Sequence, residues 1–93
     1  MKKAMPNNIF YNHMPTIDLH GLDRDMARLV VNDFINDNLM LKNPEIIVIH
    51  GIGTGVLRRK IQEELKRNKS VISYKTDNFN MGMTIIKLKI DKI

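Results

Sequence analysis

This 93-residue chain has no cysteine and no tryptophan. Without thiols, disulfides and thiolate metal sites are excluded, and the cytoplasm is the expected location. Aromatic residues are scarce, with three Phe and two Tyr. Phe10, Tyr11, Tyr74 and Phe79 are the ring candidates for any flat ligand, and Tyr74 is better suited to a core. Long apolar runs are also missing. The longest aliphatic stretch is Ile46-Ile47-Val48-Ile49, far short of the ~20 residues needed to cross a bilayer. Lys2 and Lys3 are followed by Pro6, Asn7 and Asn8, where a signal peptide would carry its apolar segment. What is present is an ordinary globular mix, 43% hydrophobic and 27% charged. The length suits one domain and leaves no room for a second core.

The net charge is +5, and it is localised. Residues 46–75 hold seven basic side chains, Arg58, Arg59, Lys60, Lys66, Arg67, Lys69 and Lys75, against Glu63 and Glu64. Residues 23–45 are net negative, with three basic and five acidic residues. A positive field confined to one segment favours a polyanion, nucleic acid before acidic membrane, whereas a solvated helix face is the plainer alternative.

Residues 1–15, punctuated by Pro6 and Pro15, read as an N-terminal arm able to dock through Ile9, Phe10 and Tyr11. Residues 16–93 form the folded unit. Thr16 to Leu19 reads as a short strand, and Asp23 as a helix N-cap. Met26, Ala27, Val30, Val31, Phe34 and Ile35 then recur at helical spacing, opposite Asp25, Arg28, Asn32, Asp33 and Asn36. Asn43-Pro44 ends that helix. Ile46 to Ile49 has the β-branched continuity of a strand buried on both faces. After a glycine-rich turn, Val56, Leu57, Ile61 and Leu65 mark the apolar side of a second helix. Val71 to Lys75 predicts a third strand with Ile72 and Tyr74 on one face. Thr76 to Met83 is a polar loop. Thr84 to Ile90 alternates, with Ile86, Leu88 and Ile90 inward and Lys87 and Lys89 outward. The order β-α-β-α-β-β predicts an α/β two-layer sandwich, a four-stranded mixed sheet covered on one face by two helices.

Asp18 and His20 alternate along the first strand and so point to one side of its carboxyl end. His50 stands at the carboxyl end of the second strand. If the two strands are parallel neighbours, all three meet at the sheet edge where ligands bind in open α/β sheets. Gly51, Gly53 and Gly55 alternate in the turn that follows, which frees the backbone for positive φ and close approach to a ligand. The helix N-terminus beyond them suits a phosphate, Thr54 can cap the helix or bond the anion, and Arg58 and Arg59 add full charge. The turn is neither a Walker loop nor a dinucleotide fingerprint, so ATP and NAD are not expected.

Ile17-Asp18-Leu19-His20-Gly21 and His50-Gly51-Ile52-Gly53-Thr54-Gly55, then Val56-Leu57-Arg58, resemble the two hallmark motifs of the Smr (small MutS-related) domain. The resemblance runs from about Thr16 to Ile90. The short arm makes the chain similar to a stand-alone Smr protein or an isolated domain. The loop before the last strand departs from the family, which is glycine-rich there; here it is Asn80-Met81-Gly82-Met83. The resemblance implies a fold like the C-terminal domain of translation initiation factor three. It implies nucleic-acid binding, DNA or RNA, in some members on ribosome-associated mRNA. In several members it also implies endonuclease activity.

The catalytic candidates are Asp18, His20 and His50. The nucleic-acid-binding candidates are Gly51, Gly53, Thr54, Gly55, Arg58, Arg59, Lys60 and Lys66. Two routes are open for Asp18: it helps hold a divalent ion, Mg²⁺ or Mn²⁺, that activates water, or it orients a histidine that acts as general base or acid. One carboxylate is thin for a two-metal site, which favours the histidine route or a single weakly held ion. The alternative function is a non-catalytic module that grips structured nucleic acid or the ribosome. No membrane partner is expected.

Overall fold

The computed structural model describes residues 14–77 and 80–91. The expected docking of the arm through Ile9, Phe10 and Tyr11 lies outside these residues, as does the ring of Phe79. The elements are β1 (Thr16–Asp18), α1 (Arg24–Met40), β2 (Glu45–Ile49), α2 (Val56–Arg67), β3 (Val71–Thr76) and β4 (Met83–Leu88). The sheet order is β1-β2-β4-β3. β1 and β2 are parallel, with Asp18 opposite Ile49, and β4 runs antiparallel to both of its neighbours. The mixed two-layer α/β architecture is the one the sequence predicts. One consequence is new: β4 inserts between β2 and β3, so α2 carries the chain across a strand not yet made.

Alternation along the strands decides which residues meet the helices. Ile46 and Val48 of β2 and Ile86 and Leu88 of β4 join Ala27, Val31 and Ile35 of α1 and Ile61 and Leu65 of α2 in one buried core. Ile47, of opposite parity, is also buried, so this strand is enclosed on both faces as its apolar run predicts. Truncating Ile35 to alanine in such a core costs about 2–5 kcal/mol.

The caps explain where α1 begins and ends. Asp23 accepts from the Met26 amide at 2.9 Å, as expected of an N-cap. At the far end the Asn43 amide donates to the Asn38 carbonyl at 2.9 Å and the Lys42 amide to the Leu39 carbonyl at 3.1 Å. That paired closure requires a left-handed residue, and Lys42 takes it at φ 60.

Four details differ from the sequence reading. Met26 is exposed, because it leads the Val30–Phe34 row, which flanks the core, instead of the Ala27–Val31–Ile35 stripe that faces it. Asn32 is not on a solvated face: its Nδ2 donates to Oε1 of buried Glu64 at 3.2 Å, tying α1 to α2. Val56, on the first turn of α2, is exposed too. In β3, a bulge between Val71 and Ser73 inserts one extra residue. Alternation is offset there, so Val71 and Tyr74 pack on the core while Ile72 is 63% exposed.

Candidate nucleic-acid interface

β1 and β2 end side by side, and the first residues of β4 return to the same edge. The chain beyond β1 makes a turn at Gly21 into α1; the chain beyond β2 makes the glycine turn into α2. Both helix N-termini therefore open on one shallow cleft of about 390 Å³, lined from Gly21 to Arg24 and from His50 to Arg58.

Asp18 and His20 are brought together as predicted. His20 Nδ1 lies 2.7 Å from Asp18 Oδ1, and the His20 amide donates to the same oxygen at 3.1 Å. A carboxylate only accepts, so Nδ1 carries a hydrogen, and in the neutral ring the lone pair is then on Nε2. Both side chains are well exposed. The hydrogen bonds from His20 hold the Asp18 carboxyl below its ordinary pKa, keeping it ionised.

His50 is at the same edge but on the other side of the sheet. The register sets Asp18 beside Ile49, so His50 shares parity with Leu19 and turns inward, 4% exposed. Its Nδ1 donates to the Gly51 carbonyl at 2.9 Å and its Nε2 accepts from the Thr84 hydroxyl at 2.8 Å. Both ring nitrogens are thus engaged by protein groups. Burial pushes its pKa below the usual histidine value, so it is neutral near pH 7. The expected meeting of three side chains is therefore a meeting of two, with the third beneath them.

The glycine turn behaves as the sequence predicts. Gly51, Gly53 and Gly55 all have positive φ. At Gly51 the need is also steric, since a Cβ there would lie 3.2 Å from His20 Cβ. At Gly55 a Cβ would lie 3.2 Å from Arg59 Nη1 and 3.4 Å from Arg58 Nη2. Both guanidinium groups thus gather over the start of α2. Gly55 is the N-cap and supplies no side-chain cap. Thr54 Oγ1 reaches the Val56 amide only at 3.4 Å. Val56, Leu57 and Arg58 of the first turn of α2 line the cleft, and a helix N-terminus with arginines beside it is an arrangement suited to an anion.

Lys60 and Lys66 are not part of this gathering. Lys60 stands about 200° around the helix from Arg58, and Lys66 sits about 12 Å further along it. Lys66 and Arg67 occupy the last turn, where cations complement the helix dipole.

Three residues that sequence reasoning missed support or line the site. Arg24, the first residue of α1, lines the cleft; its place beside the Asp23 cap was the available signal. Thr84 holds His50, and no local pattern announces a partner 34 residues away. Gly82, the one glycine of the β4 loop, accepts from the His50 and Gly51 amides at 2.8 and 3.0 Å. A Cβ on it would press to 3.3 Å on the Gly51 backbone. Its smallness serves packing against the turn.

Among the described residues no three His, Asp or Glu side chains converge on a point. Asp18 and His20 offer two donors, whereas Mg²⁺ takes about six oxygens in near-octahedral array. These two donors are too few for a cage built by the protein alone, so a single Mg²⁺ or Mn²⁺ here would keep waters or substrate oxygens as its remaining ligands; without one, the chemistry of the pair itself is proton transfer. Among the described residues no helix is long and apolar enough to cross a membrane.

A family model described as the Smr domain matches residues 17–89. Endonuclease MutS2 of Clostridium novyi (strain NT) is 38% identical over 91 residues, which is 95% of this chain and 12% of that protein. Endonuclease MutS2 of Clostridium acetobutylicum is 40% identical over 77 residues, 80% of this chain and 10% of that protein. The chain thus spans about a tenth of the length of these relatives. Among solved structures, the Smr domain of Thermus thermophilus MutS2 superposes with a TM-score of 0.78 at 32% identity, covering 81% of this chain and 98% of that one. YdaL, a stand-alone small MutS-related protein from Escherichia coli, gives 0.78 at 18% identity over 96% of this chain and 77% of that one, a likeness of fold.

Proposed function

Because this chain belongs to the Smr domain family, we propose that it binds nucleic acid by its phosphates in the cleft and cleaves a phosphodiester with the adjacent Asp18–His20 pair. The observation that carries the catalytic half is the 2.7 Å bond that points His20 Nδ1 at Asp18 and leaves Nε2, on a well-exposed side chain, as the ring nitrogen not engaged by Asp18. Ionised Asp18 fixes the tautomer and stabilises the imidazolium that forms. As an oxygen nucleophile, water or a ribose hydroxyl, attacks phosphorus, Nε2 takes its proton. The new P–O bond forms, the P–O bond to the leaving strand breaks, and the leaving oxygen is protonated from solvent or by the imidazolium. Arg58, Arg59 and the α2 amides hold the phosphate charge meanwhile. His50 is a positioning residue that fixes Gly51 against His20. The names of the MutS2 relatives, endonucleases, support the same reaction class.

The test is one gel series. Supercoiled DNA, single-stranded RNA and hairpin RNA are incubated with the protein, with and without Mg²⁺ or Mn²⁺, beside His20→Ala. The expected result is cleavage by the parent, a loss of about 10²–10⁴-fold in His20→Ala, and binding changed by less than about threefold. Equal loss of cleavage and binding would sink the catalytic assignment. Salt-sensitive binding with no product in any lane would make the site a phosphate-binding module without chemistry.

A further inference from the structure

The cleft has a second character that phosphate binding does not use. Leu22, Ile52 and Val56 all line it, and all three are exposed. Ile52 is the extreme case at 65%, held out between Gly51 and Gly53, both of positive φ. A single exposed aliphatic residue is unremarkable, but three around one concavity form an apolar wall. Arg24, Arg58 and the N-terminus of α2 line the same cleft. The Asp23 carboxylate also borders the cleft, but its Oδ1 is committed to the Met26 amide. The space, about 390 Å³, lies near the lower end of the ~300–1,000 Å³ range of small-molecule sites, which suits one unit of a polymer and not the broad face of a duplex.

One chemical unit has an anion at one end and a flat apolar body at the other, and that is a nucleotide whose base is unstacked. Resting on the phosphate-site reading above, we infer that Ile52, with Leu22 and Val56, forms a platform for an unpaired base, so that the strand bound here is single or locally opened. Aliphatic side chains serve this way when they wedge between base steps or line a pocket for an extruded base. In a duplex the base is stacked and paired, and Ile52 would face the sugar–phosphate rim with nothing to cover it. The platform reads no sequence, because every base has an apolar face.

The experiment is fluorescence anisotropy on the intact chain at fixed salt. Three labelled probes are compared: a 12-nucleotide single strand, the same sequence as a blunt duplex, and the single strand with abasic residues. We expect the single strand to bind about tenfold tighter than the duplex, the factor that corresponds to about 1.4 kcal/mol, and the abasic strand to bind like the duplex. Ile52→Ser brings the ratio near one without changing the slope of log affinity against log salt, since the phosphate contacts remain. Ile52→Phe, which enlarges the platform, raises the ratio. Equal binding of strand and duplex by the parent, or a ratio unmoved by both Ile52 variants, would overturn this inference while the phosphate site stands. No salt-dependent binding of any probe, or binding indifferent to Arg58→Ala, would overturn the phosphate reading and this one with it.

Discussion

The sharpest test of how the site is supported is Thr84→Val. Thr84 is fully buried, and its hydroxyl donates to His50 Nε2 at 2.8 Å. Valine fills the same volume, so no cavity opens, but the imidazole lone pair loses its donor inside the protein. An orphaned buried acceptor costs about 1–3 kcal/mol. In a domain of this size each kcal/mol moves Tm by about 4–8 °C, so a fall near 10 °C is expected by calorimetry or circular dichroism at pH 7.5. The cost should vanish when the acceptor is removed as well. In a cycle with His50→Phe, the coupling energy should therefore equal that cost, about 1–3 kcal/mol. A Tm within about 2 °C of the parent, or a coupling near zero, would refute the view that this bond holds the turn.

Acid should weaken the fold in a defined window. Burial holds His50 below its ordinary pKa of 6.5, so below that value the unfolded chain binds the proton first and stability falls with pH. Tm should be level above about pH 7.5 and drop as pH falls through 6.5 toward the lower pKa of the folded state, a slope that His50→Phe removes. Asp18, held below 3.8 by its bonds from His20, adds a further loss below that value. Lys42 pays a conformational penalty at φ 60, so Lys42→Gly should raise stability by about 0.5–1 kcal/mol, read as a higher midpoint in urea. Gly51→Ala meets both a positive φ and His20 Cβ at 3.2 Å; it should cost about 1–2 kcal/mol and reduce cleavage more than binding, and unchanged cleavage would argue that the pair is not seated by this turn.

Much of this was legible in the residues because the rules involved are local. Asp23 announced a cap, and Asp18 and His20 two apart on a strand end announced a pair. The alternating glycines after a buried strand announced backbone of positive φ. What escaped depends on register between distant segments. His50 is one residue past Ile49, and only the pairing of Asp18 with Ile49 shows that its side chain leaves on the opposite face. Counting in twos puts Ile72 on the face of Tyr74, and a single inserted residue reverses that count. Asn32 was assigned to solvent by its polarity, whereas Glu64 of the second helix gives it a partner. Arg58 and Arg59 are legible from their distance to the glycine turn. Lys60 and Lys66 share only their charge with these two, and helix geometry separates them.

The two histidines of the motifs share an edge and divide its labour by strand parity. On the outward side His20 keeps one nitrogen on Asp18 and offers the other. On the inward side His50 uses both nitrogens to connect Thr84 of β4 with the carbonyl of Gly51. Gly51 is the joint between them, because it packs against His20 Cβ and its amide is anchored by the Gly82 carbonyl. β4 is therefore more than one of the two inner strands of the sheet. By entering between β2 and β3 it brings Gly82 and Thr84 under the turn, so the placement of His20 relative to the α2 N-terminus is set by bonds inside the protein before any ligand arrives. Under the proposed function, a site arranged this way would have little reorganisation left to do on binding a phosphate, which is the condition under which fixed donors are most effective.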